Sequence, residues 1–198
     1  MSERHTRRAT APARRANRRP SPDELAAAAG GTVDDVIGPG LRVLFCGINP
    51  GLWSGAVGHH FAHPGNRFWK ALQASGFTDA VLDPADERRL LDVGLGVTNL
   101  VPQATRSASE LDREQLRRGA RDLEGKVRRW RPRAVALLGL TAYRAGFARP
   151  RARVGRQPDS LEGALLWVLP NPSGVQAHYP FDRLVDELRA LRRATARG

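Results

Sequence analysis

Four short, largely apolar runs alternate with helix-length segments of mixed charge, and this alternation most narrowly limits how the chain can fold. The first, Leu41-Arg42-Val43-Leu44-Phe45-Cys46-Gly47-Ile48, lies between Pro39-Gly40 and Asn49-Pro50-Gly51 and reads as a buried strand bounded by turns. Gly96–Val101, Ala134–Leu140 and Leu165–Leu169 repeat the pattern. Between and after them, four segments carry helical spacing. Asn66–Ser75 has Asn66 as cap, Gly76 as stop, and Phe68, Trp69 and Leu72 on one face. Ser109–Trp130 carries Leu111, Leu116, Leu123 and Val127 and ends before Pro132. Thr141–Phe147 is short, and Phe181–Arg193 aligns Leu184, Val185 and Leu188. Strands alternating with helices predict a single α/β domain whose mainly parallel central sheet is flanked by helices. A chain of 198 residues suits one such domain.

Charge narrows the partner. Lys and Arg number 32 against 20 Asp and Glu, a formal net charge of +12, which points to a polyanion, either nucleic acid or an anionic membrane surface. Residues 1–20 hold Arg4, Arg7, Arg8, Arg14, Arg15, Arg18 and Arg19 against Glu3 alone. With almost no aliphatic bulk, this stretch is expected to be a basic disordered tail that meets phosphate through mobile arginines. Its Arg- and Ala-rich composition also fits an organelle transit peptide, whereas no apolar stretch follows to make a secretory signal. Residues 21–38 read as a short linker or helix, with Ser21 as cap and Pro22, Asp23 and Glu24 in the first turn. The folded domain is then expected over 39–198.

Cys46 is the only cysteine, so the chain can form no internal disulfide, four-cysteine zinc site or cysteine-ligated cluster. A reducing cytoplasm is its simplest location. No apolar run approaches the ~20 residues of a membrane-spanning helix. Leu52–His60 reads as a glycine-rich mobile loop. Its His59 and His60 have no acidic or cysteine neighbour in sequence, so neither a metal nor any other cofactor is expected.

In open α/β sheets the ligand crevice lies beyond the carboxyl ends of the strands. Two turns occupy such places: Gly47-Ile48-Asn49-Pro50-Gly51 after the first run and Pro170-Asn171-Pro172-Ser173-Gly174 after the fourth. Each sets an asparagine before a proline, which forces extended or turn geometry and can project a side chain into the crevice. The first turn continues into Phe61-Ala62-His63-Pro64-Gly65-Asn66-Arg67-Phe68-Trp69-Lys70. With these three motifs in order, the chain from Pro39 to Leu191 resembles the mismatch-specific uracil-DNA glycosylases, the thymine-DNA glycosylase-like branch of the uracil-DNA glycosylase superfamily.

The resemblance implies a glycosylase domain over 39–198. This domain would remove uracil, and thymine or ethenocytosine as related substrates, opposite guanine in double-stranded DNA. It would do so by base flipping and water attack, as a monomer, leaving an abasic site. Asn49 falls on the catalytic asparagine, whose carbonyl oxygen can direct the attacking water. Phe61 falls on the aromatic that stacks on the flipped base. Ile48 and Asn171 are the implied contacts to the base, and His63 and Asn66 brace the loop. Ser173, Gly174 and Val175 fall on the wedge that enters the duplex and reads the orphaned guanine. Val175 stands where a leucine is common and Ala177 where an arginine often follows. Asp92, ahead of the second run, is a possible auxiliary carboxylate. A catalytically weak mismatch- or damage-binding protein of the same fold is the alternative.

A wedge acts on the stack, not on the chemistry. Val175→Gly is therefore expected to slow excision from paired uracil much more than from single-stranded uracil, because unstacking costs a few kcal/mol only in the duplex. Equal losses on both substrates, measured under single turnover, would assign the loop to the pocket instead.

Overall fold

The computed structural model describes residues 19–173 and 179–196. In chain order the elements are α1 (Pro22–Ala27), β1 (Val43–Gly47), α2 (Leu52–Val57), α3 (Phe68–Ala74), a 3₁₀ segment (Pro84–Val93), β2 (Leu95–Asn99), a 3₁₀ turn (Ala108–Glu110), α4 (Arg113–Trp130), β3 (Ala134–Leu138), α5 (Leu140–Gly146), β4 (Gly155–Leu161), β5 (Ala164–Leu169) and α6 (Phe181–Ala196). The sheet order is β2-β1-β3-β5-β4. The first four strands run parallel and β4 pairs antiparallel with β5.

All five residues of β1, β2 and β3 are buried, as the continuous apolar runs require of a sheet covered on both sides. Alternate side chains sort between two cores. Phe45, Val97, Ala136 and Leu169 join Phe68 and Leu72 of α3 and Leu184, Leu188 and Leu191 of α6. Leu44, Cys46, Leu137 and Val168 join Leu123 and Val127 of α4 and Tyr143 of α5. Cys46 is part of the second core, and burial pushes its thiol pKa up to about 12, so it packs as an apolar, protonated group. Among the described residues no helix is long and apolar enough to cross a membrane.

The structure departs from the sequence reading in four places. β4 is an unforeseen fifth strand. Its Gly-Arg-Gln-Pro-Asp-Ser-Leu sequence is polar and contains Pro158, which an edge strand tolerates because one side of its ladder is free. Leu52–Val57 is a helix, α2, ended by Gly58 in the left-handed conformation, and not a mobile loop. The third concerns the start of the fold. Val36 and Val97 exchange backbone hydrogen bonds of 2.9 Å, so residues ahead of Pro39 cover the outer edge of β2 and the folded body begins before that proline. Finally, α4 begins at Arg113, with a capping box between Asp112 and Gln115, and a 3₁₀ turn precedes it. Residues 1–18, which include most of the basic tail, lie outside the described residues.

Gly119 and Gly125 of α4 give a paired test. A methyl group on Gly119 would collide with the Leu100 carbonyl oxygen, whereas one on Gly125 meets nothing within 4 Å. Gly119→Ala is expected to cost about 1–3 kcal/mol, as overpacking does, and Gly125→Ala to gain about 0.5–1 kcal/mol of helix propensity. Denaturant midpoints of the two variants check both signs.

Candidate active-site pocket

A cavity of about 540 Å³ opens at the carboxyl ends of β1, β2, β3 and β5. That volume suits a small-molecule-sized group. Ile48, Asn49, Phe61, Asn171 and Ser173 all line it, as do His63 and Asn66. Gly174 and Val175 lie outside the described residues.

The orientation of Asn49 follows from its neighbours. Its Nδ2 donates to the Pro50 carbonyl at 3.1 Å, the Gln103 carbonyl at 3.2 Å and the Thr105 hydroxyl at 2.7 Å. Thr105 donates its own hydroxyl proton to the Ser107 carbonyl at 2.8 Å, so toward Asn49 it can only accept. All three neighbours are thus acceptors. The NH₂ end must face them, which leaves Oδ1 as the accepting end of a residue that lines the cavity.

Phe61 adopts a left-handed backbone with φ 52°, uncommon for an aromatic residue. Its half-buried ring lies 4.2 Å from the Phe68 ring, centroid to centroid, and the residue lines the cavity. Gly47 makes room at this point. A Cβ there would lie 2.5 Å from Asn99 Oδ1 and 3.2 Å from the Phe61 ring. Register pairs Gly47 with Asn99, so the parallel sheet itself places that amide beside the aromatic.

Asn171 commits its Oδ1 to the Ser173 amide at 2.9 Å, leaving its NH₂ group for the cavity. Arg67 anchors both stems around the loop, donating to the carbonyls of Asn171 at 3.3 Å, Pro172 at 3.4 Å and Tyr179 at 3.0 Å. His63 accepts the Gly65 amide at 3.0 Å and packs edge-on against Trp53, while Asn66, one residue ahead of the N-cap position that Arg67 takes, accepts the Phe68 amide at 2.9 Å. Both therefore act as braces. Ile48 packs against Gly139, and its carbonyl receives the Val101 amide at 2.9 Å.

Two expectations need correction. Asp92 is exposed on the segment leading into β2, at the amino end of that strand. The cavity lies at the opposite, carboxyl end and Asp92 does not line it. His59 and His60 do have an acidic partner, supplied by Glu87 from 27 residues onward. Glu87 binds His59 Nδ1 and His60 Nδ1, each at 3.0 Å, and accepts the His60 amide at 2.8 Å. Among the described residues no group of three or more side chains is disposed to hold a metal ion.

Asn99, Thr105, Glu87 and Arg106 were not singled out from the sequence, and Arg19 only as one of the seven arginines of the basic tail. Asn99 carried a usable signal, since it ends a buried run that lies next to β1. The others depend on long-range packing.

The profile of the uracil DNA glycosylase superfamily matches residues 35–192. The chain belongs to that superfamily. Its fold is also similar to the solution NMR structure of a candidate uracil DNA glycosylase from Methanosarcina acetivorans. The TM-score is 0.55 at 16% identity, covering 82% of this chain and 98% of that one.

Glu87 generates a pH prediction. Burial pushes its carboxyl up, but the hydrogen bonds from His60 and His59 outweigh burial and hold it below the usual 4.5. A carboxyl depressed in the folded state stabilises fully above its unfolded pKa and loses that contribution as pH falls through the folded value. Glu87→Gln is therefore expected to cost about 1–3 kcal/mol at neutral pH, with the gap to wild type narrowing below about pH 4.5. Denaturation midpoints against pH check it; a gap independent of pH would deny the carboxylate its role.

Proposed function

We propose that this superfamily member is a monomeric DNA glycosylase that hydrolyses the N-glycosidic bond of uracil opposite guanine in duplex DNA and leaves an abasic site. The observation that carries this reading is the locked amide of Asn49, a neutral acceptor held at the cavity wall beside an aromatic face.

The reaction needs a water placed against the sugar carbon while the base leaves as an anion and the sugar gains oxocarbenium character. Asn49 Oδ1 accepts a hydrogen bond from that water and sets its direction. Phe61 supplies the face on which an extruded pyrimidine stacks, at about 1–3 kcal/mol per base. The amides of Asn99 and Asn171 meet the polar edge of the base, and an NH₂ donor there stabilises the oxygen on which charge develops. A neutral donor does this less strongly than a cation. The chemistry therefore favours bases already weakly bonded or weakly paired, which fits uracil in a mismatch.

Incubation with a G·U duplex followed by alkali is expected to cut the uracil strand. Asn49→Ala is expected to retain folding and DNA binding but lower single-turnover excision about 10²-fold or more, the loss of a positioned water. Asp92→Ala, away from the cavity, is expected to excise at the wild-type rate. Binding without strand scission in the wild type would favour the mismatch-binding alternative.

A further inference from the structure

Five arginines elsewhere on the surface are held by carboxylates: Arg118 by Glu114, Arg128 by Glu162, Arg149 by Asp159, Arg183 by Glu187 and Arg189 by Asp186. Other surface arginines, such as Arg156, have no such partner among the described residues, and Arg19 and Arg106 are set apart by where they stand. Both are exposed, both line the cavity that holds Asn49, and neither has a carboxylate or hydrogen-bond partner among the described residues. Among the described residues no Asp or Glu lines that cavity. An unpartnered guanidinium on an acid-free rim is a strong donor for an oxyanion, through charge-assisted and often bidentate bonds.

The two side chains belong to one hydrogen-bonded unit, although they are far apart in sequence. Arg19 immediately precedes α1, which starts with a Ser21–Glu24 capping box and Pro22 in its first turn. Beyond α1, the Gly30 amide donates to the Ala104 carbonyl at 2.9 Å and the Ala104 amide donates to the Gly31 carbonyl at 2.7 Å, while Thr32 bridges Gln103. Ala28 also packs beside Gly55 of α2. The loop gripped in this way, Gln103 to Arg106, contains two of the three acceptors that orient Asn49. The segment ahead of the superfamily match, which starts at residue 35, is thus a built wall of the cavity.

We propose that Arg19 and Arg106 are phosphate clamps that hold the DNA backbone beside the extruded nucleotide. The inference rests on the glycosylase reading above and adds a binding role for a segment outside the family-matching region. A nucleotide swung into the cavity draws its flanking phosphates to the rim. Rim guanidiniums then fix its register and carry no sequence information.

Binding can be measured with the full chain on a G·U duplex whose uridine carries a 2′-fluorine, which disfavours oxocarbenium character and keeps the bond intact during titration. Arg19→Ala and Arg106→Ala are each expected to weaken binding about 3- to 10-fold. Each should also make the slope of log affinity against log salt shallower by about 0.9. Arg156→Ala removes the same charge from exposed β4, away from the cavity, and is expected to move neither quantity. A neutral methylphosphonate placed at each phosphate flanking the uridine should weaken wild-type binding. At the clamped position it should add nothing in the variant lacking the matching arginine. Effects of Arg19→Ala and Arg106→Ala equal to those of Arg156→Ala, or a methylphosphonate penalty undiminished in both variants, would overturn the clamp. Absence of alkali-labile product from wild type, with the arginine dependence intact, would count against glycosylase activity and for the clamp.

Discussion

Both faces of β1 are covered, so this strand can reach a ligand only through its carboxyl end. Phe45 shows how firmly that end is held. Its ring meets Phe68 and Phe77 edge-on at 5.4 and 5.6 Å, deep in one core, while Leu44 and Cys46 enter the other. Burying one such side chain contributes about 1.5–3 kcal/mol, and the strand buries all five of its residues. Against that sum, a local strain of about 1–3 kcal/mol near the cavity is affordable. The parallel register then brings Gly47 beside Asn99, and the neighbouring strands end close by, in Gly139 after β3 and in Asn171 beyond β5. The cavity is where these ends meet.

At the end of β1 the decisive property is the orientation of a neutral amide. Turning the Asn49 amide over would set its oxygen against the Pro50 and Gln103 carbonyls and the lone pairs of Thr105. Three hydrogen bonds would become three repulsions, at a cost of several kcal/mol. On the proposed reading the acceptor is therefore oriented before any substrate arrives, which is how a preorganised group avoids reorganisation during reaction. An amide directs water without removing its proton, so on the proposed reading the lability of the base–sugar bond must supply the rest.

How far the sequence could be read follows from how local each cause is. The parallel strands were legible because burial on both sides leaves continuous apolar runs, Asn49 and Asn171 because they stand in strand-end turns, and Phe61 only through the family resemblance. β4 escaped notice because an edge strand needs no apolar run and tolerates Pro158. The span Leu52–Val57 was missed because Ser54 and Gly55, with Gly51 and Gly58 on either side, suggest a loop, while α1 packs on α2 and it forms a helix. Asp92 was misplaced although chain order was enough to exclude it, since a residue ahead of a strand stands at its amino end and the crevice lies at the carboxyl ends. The partners that fix the site, Thr105 for Asn49 and Glu87 for the two histidines, lie 56 and 27 or more residues away in sequence. Local periodicity carries no record of them.

Glu87 bears on Phe61 through the residue between them. Its carboxylate holds both the amide and the Nδ1 of His60, and the His60 carbonyl receives the Trp69 indole N–H at 3.2 Å. With its amide, ring and carbonyl all bound, His60 cannot adjust. The left-handed turn then falls on the next residue, and Phe61 adopts φ 52° with its ring against Phe68. Because Glu87 is held in its ionised form, it accepts, and the His60 proton sits on Nδ1. His60 Nε2 is buried without a hydrogen-bond partner among the described residues. An unmet buried polar atom costs about 1–3 kcal/mol, which the hydrogen bonds to the Glu87 carboxylate can offset. The face on which a base would stack is thus positioned by a buried carboxylate acting through one immobilised histidine, so losing that charge should loosen the aromatic wall while leaving the Asn49 amide in place.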